Sequence, residues 1–369
     1  MTEPARSPRQ TPPALAAPSS ILIRTPNWLG DLLVGTAFVS AVLQRFPGIP
    51  VELVVRRGFE VLPLPRRGEV IPYDRRAEGP GAFGRRLRGR GHSHLFVLPP
   101  SFSSAWMAFR SGIPWRIGYR GALRGWLLRP ALAHRHPPRS VHLAQEYLDL
   151  LRPWLETTPE AFPASLSLPP GWTDEHRPAE LPADGATVVL APGAEYGPAK
   201  QWPIPHYART AAALLRAGLR VVVVGLDKDR ALAGEMLAGH PAGLNLCGRT
   251  DLRGLTAVIA GAALLISNDS GAMHLGAALG RPQIALFGST NPRWTAPLNS
   301  RAELLYRNEP CSPCYARTCP LGHLRCLVGL APEEVLERAW RLLERPPPAG
   351  APAPAQSADS ARAGGRENR

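Results

Sequence analysis

Long apolar runs are missing from this 369-residue chain. Its longest uncharged apolar stretch, Gly254 to Ser267, contains Gly261 and falls short of the roughly 18 residues a membrane-spanning helix needs. The Pro-rich N-terminus lacks the apolar core of a signal peptide. These absences argue against a helical membrane protein. We expect a cytoplasmic chain whose membrane contact, if any, is peripheral. Short-period repeats and recognisable RNA- or DNA-binding motifs are also missing, although the sequence pI is about 10.5. Lysine is scarce: of 43 Lys and Arg, only Lys200 and Lys228 are lysine. That ratio suits the codon bias of a GC-rich genome, so Arg in place of Lys is no functional signal. Metal-type acidic pairs are nearly absent too. The one D-x-D stretch, Asp227-Lys228-Asp229, has an ammonium between its carboxylates, which weakens a cation site and fits a solvated loop. Of the five cysteines, Cys247 stands apart. Cys311, Cys314, Cys319 and Cys326 form C-x2-C-x4-C-x6-C with His323 inside. Four close thiols in a cytoplasmic protein fit either reduced loop thiols or a structural zinc, more than disulfides.

What is present is charge and punctuation. The formal net charge is +14. Between Arg56 and Arg129 stand 15 Arg and four acidic residues, so the basic surface belongs to the first half. Nucleic acid, an anionic membrane face and an acidic substrate are the partners such a surface admits. The length suits two domains. Residues 1–19 and 346–369, rich in Pro and Ala, read as disordered tails.

Leu264 to Gly288 organises the rest. Leu264 to Ile266 reads as a buried strand, Ser267 to Gly271 as a polar turn, Met273 to Leu279 as a helix stopped by Gly280 and Pro282, and Gln283 to Phe287 as a second strand. Such a βαβ unit builds a parallel sheet. The turn offers helix N-terminal N–H groups, which favour an anion such as a diphosphate. Gly271 leaves room for a ligand to approach the backbone. His274 follows Ser270 by one turn, so both can face that ligand. A plain helix cap at Asp269 or Ser270 is the competing reading.

The same grammar recurs elsewhere. Ile21 to Arg24 reads as a strand, followed by the turn Asn27 to Asp31, a helix from about Leu32 to Arg45, and a strand at Val51 to Val55. His94 to Leu98 is another strand. Gly112 to Arg129 carries Arg116, Arg120, Arg124 and Arg129 among aromatics, and its Gly and Pro content predicts a loop, or a loop with a short helix, rather than one long helix. Leu155 to Asp184 suits an interdomain connection. Thr187 to Ala191 opens a second α/β set and leads into the irregular stretch Ala191 to Trp202 with Lys200. Two doubly wound domains place their site in the cleft between them. Asp31 is then either a helix-start carboxylate or a general base, and Lys200 either a solvated loop residue or a point charge on a phosphate.

Three segments carry a resemblance: NWLGD at 27–31, PGAEYGPAKQWP at 192–203 and SNDSGAMHLGAALGRP at 267–282. In order and spacing they resemble bacterial lipopolysaccharide heptosyltransferases of glycosyltransferase family 9, above all the group that adds the second heptose. Residues 97–128 are similar to that group's acceptor side, and the likeness spans about 21–345. It implies the GT-B fold, with two Rossmann-like domains facing across a cleft. An acceptor domain would occupy 20–180 and a donor domain 181–330, with a helix at 331–345 packing back on the first. It implies inverting transfer of heptose from ADP-heptose to a heptose of the lipopolysaccharide core on lipid A. It also implies no cofactor, no catalytic metal, and work at the cytoplasmic membrane face. Residue by residue, it makes Asp31 the base and places Lys200 at the diphosphate. Asp269, Ser270, Gly271 and His274 fall in the donor turn, Asp229 on the ribose, and Arg120 on the acceptor with Arg116 and Arg124 beside it. The alternatives are another heptosyltransferase with the same donor and a different acceptor, or a basic nucleic-acid-binding protein.

Overall fold

A computed structural model describes residues 15–121, 123–155 and 163–345; the tail segments 1–14 and 346–369 lie outside the described residues. The first domain holds β1 (Ile21–Arg24), α1 (Leu29–Arg45), β2 (Val51–Arg56), β3 (Val70–Tyr73), α2 (Pro80–Leu87), β4 (His94–Val97), α3 (Phe102–Arg110), β5 (Trp115–Tyr119), β6 (Ala131–Leu132) and α4 (Leu143–Leu148). After α5 (Trp172–His176) the second domain holds β7 (Thr187–Ala191), α6 (Ile204–Arg216), β8 (Arg220–Val223), α7 (Arg230–Met236), β9 (Leu244–Asn245), α8 (Leu252–Ala260), β10 (Leu264–Asn268), α9 (Gly271–Ala278), β11 (Gln283–Phe287), α10 (Pro292–Thr295), β12 (Ala302–Tyr306), α11 (Arg325–Val328) and α12 (Pro332–Leu342).

The strands form two parallel six-stranded sheets, ordered β3-β2-β1-β4-β5-β6 and β12-β11-β10-β7-β8-β9. β1, β7, β10 and β11 are buried throughout, as strands covered on both faces should be. In each sheet the chain reverses direction beside a central strand: β1 next to β4, and β7 next to β10. Loops at the carboxyl ends of those strands are where such sheets place ligands.

Three expectations change. The first helix begins at Leu29, so Asp31 lies inside its first turn rather than in the loop before it. Gly112–Arg129 is not one loop, because Trp115–Tyr119 pairs with His94–Val97 as a sheet strand. The C-terminal helix α12 packs on its own domain rather than the first. Val335, Ala339 and Trp340 join the apolar cluster of β7, β8 and α6, and Arg209 on α6 pairs with Glu333. Its apolar stripe is satisfied there.

The domains meet mainly through α1 and α9. His142 Nε2 bonds to Ala296 O at 2.9 Å, and the Leu166 N–H donates to Ala278 O at 2.8 Å. No helix among the described residues is long and apolar enough to cross a membrane.

Candidate active site

The site grows from two strand ends. β1 runs into Thr25–Trp28 and then α1, whose first turn carries Asp31. β10 runs into Asp269 and Ser270 and then α9. The N-cap of α9 is extended Ser270, whose side chain caps none of the first-turn N–H groups and whose Oγ is buried without a partner. The α9 N–H groups are thus left without a side-chain cap, the condition in which a helix N-terminus favours an anion.

Asn268 fastens the loop that carries Lys200. Its Oδ1 accepts from the Trp202 N–H at 3.0 Å and the Tyr207 hydroxyl at 3.1 Å, and its Nδ2 donates to Pro192 O at 2.7 Å. Lys200 Nζ then reaches Asp269 Oδ2 at 2.6 Å, and the Thr290 hydroxyl donates to the same oxygen at 2.6 Å. Asp269 is only 5% exposed, so it holds the ammonium from behind. An ammonium has three donors, leaving two for a ligand. Asn268, Thr290 and Trp202 are positioning residues that sequence reasoning passed over. Their signal was proximity to the Asp269 turn and the Lys200 loop, but only the fold shows them touching.

Asp31 is half-buried in the first turn of α1. That burial raises its carboxyl pKa to about 6; the Lys200 charge pulls it down and the Asp269 charge pushes it up. Asp31 thus lies in the electrostatic field of the ion pair on the other domain. His274 is buried, which lowers its pKa to about 4, with Asp269 opposing and with His142 and Lys200 adding to the effect. Its ring is neutral at physiological pH.

Other predicted residues have different work. Gly271 faces Leu29 of α1: a Cβ there would stand 3.2 Å from Leu29 Cδ2. Its missing side chain serves the crossing of the two helices. Asp229 is 3% exposed, and its Oδ2 accepts from the Leu226 N–H at 2.9 Å. It lies tight between Gly193 and Gly225, where a Cβ on either glycine would stand within 3 Å of its Oδ2. Lys228 pairs with Glu195 at 2.8 Å and Asp227 with Arg230 at 2.8 Å, so the D-x-D carboxylates do not converge. Arg124 is 1% exposed, and its guanidinium donates to the carbonyls of Tyr119, Pro99 and Ser101. Arg116 likewise donates to the carbonyls of Leu127, Ile113 and Pro114. Arg124 is structural, because buried carbonyls need donors, and Arg116 spends its donors on its own neighbourhood. Arg120 is exposed at the end of β5.

The basic surface concentrates elsewhere. A cavity of about 700 Å³ in the first domain is lined by Arg24, Arg56, Arg57, Arg75 and Arg76, with Trp28 and Asn27 on its Asp31 side. Arg24 is buried, which lowers its pKa to about 10, and it donates to Asn27 Oδ1 and Thr25 O. Sequence reasoning counted Arg56, Arg57, Arg75 and Arg76 as surface charge, and Arg24 as a strand end, without placing them together.

Two doubly wound sheets joined at α1 and α9, with a carboxylate on one side and an ammonium and helix N-terminus on the other, have the architecture of a GT-B glycosyltransferase. Residues 81–325 match the model of Glycosyltransferase family 9 (heptosyltransferase), and the chain belongs to that family. It is 30% identical over 345 residues to Lipopolysaccharide heptosyltransferase 2 of Escherichia coli K12, covering 88% of this chain and 98% of that one. It is 30% identical over 353 residues to Lipooligosaccharide heptosyltransferase 2 of Haemophilus influenzae, covering 88% of this chain and 100% of that protein. The solved E. coli ADP-heptose LPS heptosyltransferase II superposes with a TM-score of 0.75 at 28% identity, covering 88% of this chain and 98% of the other.

Proposed function

We propose that the protein transfers a heptose from ADP-heptose to a heptose of the lipopolysaccharide inner core, the second heptose addition, with inversion at the anomeric carbon. The observation carrying this reading is the placement of Asp31: a carboxylate of raised pKa on one domain, within the field of Lys200 and Asp269 on the other. The acceptor hydroxyl oxygen bonds to the anomeric carbon as the bond from that carbon to the diphosphate breaks. Asp31 receives the hydroxyl proton and ADP leaves as the anion. General-base assistance of this kind is worth roughly 10²–10⁴-fold. Lys200, the Ser270 hydroxyl and the α9 N–H groups meet the charge that develops on the diphosphate. They supply the positive potential a divalent cation would otherwise provide, so the transfer proceeds without a metal or cofactor at the reacting centre.

The arginine-lined cavity receives the anionic core of the acceptor, since planar guanidinium groups suit carboxylates and phosphates. Phe109 packs against Trp106 and Trp126, each pair with ring centroids 5.7 Å apart. Phe102, Phe109, Leu123 and Trp126 are exposed, and Arg110 and Arg116 lie over rings of this group. Aromatic and basic side chains together suit peripheral contact with an anionic lipid surface.

The deciding experiment incubates the protein with ADP-heptose and cores bearing zero, one or two heptoses, followed by mass spectrometry. Mass gain on the one-heptose core, lost in Asp31→Asn and kept under brief EDTA treatment, supports the reading. Gain on the empty core alone refutes the second-heptose assignment.

A further inference from the structure

The four clustered cysteines take no part in the transfer chemistry. Residues 307–324 run from β12 to α11 without helix or strand. So long an irregular stretch needs something to hold it. Cys311, Cys314, Cys319 and Cys326 all line one cavity of about 20 Å³. That space suits a single atom-sized guest, since one water needs about 10–15 Å³ by a similar measure. A multi-iron cluster is too large for it. Cys326 belongs to the second domain's apolar core, which anchors one side of the cavity. On the other side the chain curls back at Cys319, whose carbonyl accepts from the Gly322 N–H at 3.2 Å. Gly322 and Leu324 reach that curl with φ of 69° and 47°. The His323 ring is used elsewhere, since Nδ1 accepts from the Arg325 N–H at 3.1 Å. The ligand set is therefore four sulfurs.

The same segment grips the donor site. Arg317 O accepts from the Ala199 N–H at 3.0 Å, and Tyr315 O accepts from the Tyr196 hydroxyl at 2.7 Å. Both donors belong to the loop that carries Lys200. On its other flank the Tyr315 N–H donates to Ser289 O at 2.7 Å, next to Thr290, which orients Asp269.

We propose that Cys311, Cys314, Cys319 and Cys326 bind one zinc ion, and that this ion clips residues 307–324 against the Lys200 loop. Among the described residues no three His, Cys, Asp or Glu side chains are gathered in ligating geometry, so the sulfurs close on the ion as it binds. The four thiols release their protons to solvent as four Zn–S bonds of about 2.3 Å form. Zinc has no redox role here. It acts as a positioning group, holding the two carbonyls that fix the loop of Lys200.

The test grows the full-length protein in zinc-supplemented and, separately, iron-supplemented medium and measures bound metal by mass spectrometry. The expected result is about one zinc per chain from both media, the count for one tetrathiolate site. Zinc is lost in Cys314→Ser/Cys319→Ser and kept in Cys247→Ser. In the native protein the four clustered thiols react slowly with a thiol reagent until a mercurial releases the ion. Cobalt substitution gives thiolate-to-metal charge-transfer absorption, which a merely unstable variant cannot mimic. ADP affinity of the folded double variant falls about tenfold, as expected when positioning contacts are lost. Iron in place of zinc overturns the assignment, as does metal-free protein with four fast-reacting thiols or zinc retained by the double variant. Metal content and thiol reactivity do not depend on which sugar is transferred, so failure here and failure of the heptose reading are separate results.

Discussion

Gly30 of α1 lies directly against the imidazole of His274 on α9: a Cβ at Gly30 would stand 2.7 Å from His274 Cδ2. A hydrogen on each side of the site thus sets how closely the two domains approach. His274 is buried, with little room to swing away. Gly30→Ala should force α1 and α9 apart. The expected loss is about 1–3 kcal/mol of stability, the usual range for overpacking. Thermal denaturation and single-turnover transfer measure it. Wild-type behaviour in both would show that the domains do not pack this way during the reaction.

The pH profile should follow Asp31. Burial raises its pKa to about 6. The base works only when deprotonated, so kcat/KM should fall below pH about 6 with a slope near one, as expected for one titrating base. Lys200 lowers this pKa, so Lys200→Met should move the acid limb upward. Asp269 raises it, so Asp269→Asn should move the limb downward. Both variants also lower kcat. Limb shifts in the opposite directions would remove Asp31 from the role of base.

Arg75 and Arg76 line the basic cavity. Arg75→Ala/Arg76→Ala should raise the acceptor KM about tenfold or more, the scale of a lost charge-assisted hydrogen bond. ADP binding should hold steady. Equal weakening of donor and acceptor, read by calorimetry alongside kinetics, would place the acceptor elsewhere.

Arg124 offers a contrast. It feeds three carbonyls from a buried position. Arg124→Met should cost about 3 kcal/mol, because buried acceptors lose their donors. Its KM for acceptor should change little once folded protein is compared at low temperature. A stable variant with a large acceptor defect would restore the ligand role that its sequence neighbourhood suggested.

Much of this protein is written locally. The central strands are continuous apolar runs because both faces of a parallel sheet are covered, and Gln283–Phe287 matches its predicted bounds. The edge strands carried a weaker signal. Val70–Tyr73 contains Pro72, which an edge tolerates, and Ala302–Tyr306 leaves Leu304 exposed. The turn at Asp269 and Ser270 between β10 and α9 was legible because strand-to-helix turns have few solutions.

What the sequence by itself determined was a pair of βαβ sheets and the phosphate-type turns that end their strands, since periodicity and glycine and proline placement act over a few residues. Tertiary structure alone decided which charges are spent. It buried Arg124 and Asp229 on their own backbones, paired Lys200 with Asp269, gathered Arg24, Arg56, Arg57, Arg75 and Arg76 into one cavity, and turned α12 onto its own domain. Hydrogen bonds, burial and charge pairing act between residues far apart in the chain, and no local pattern records those distances.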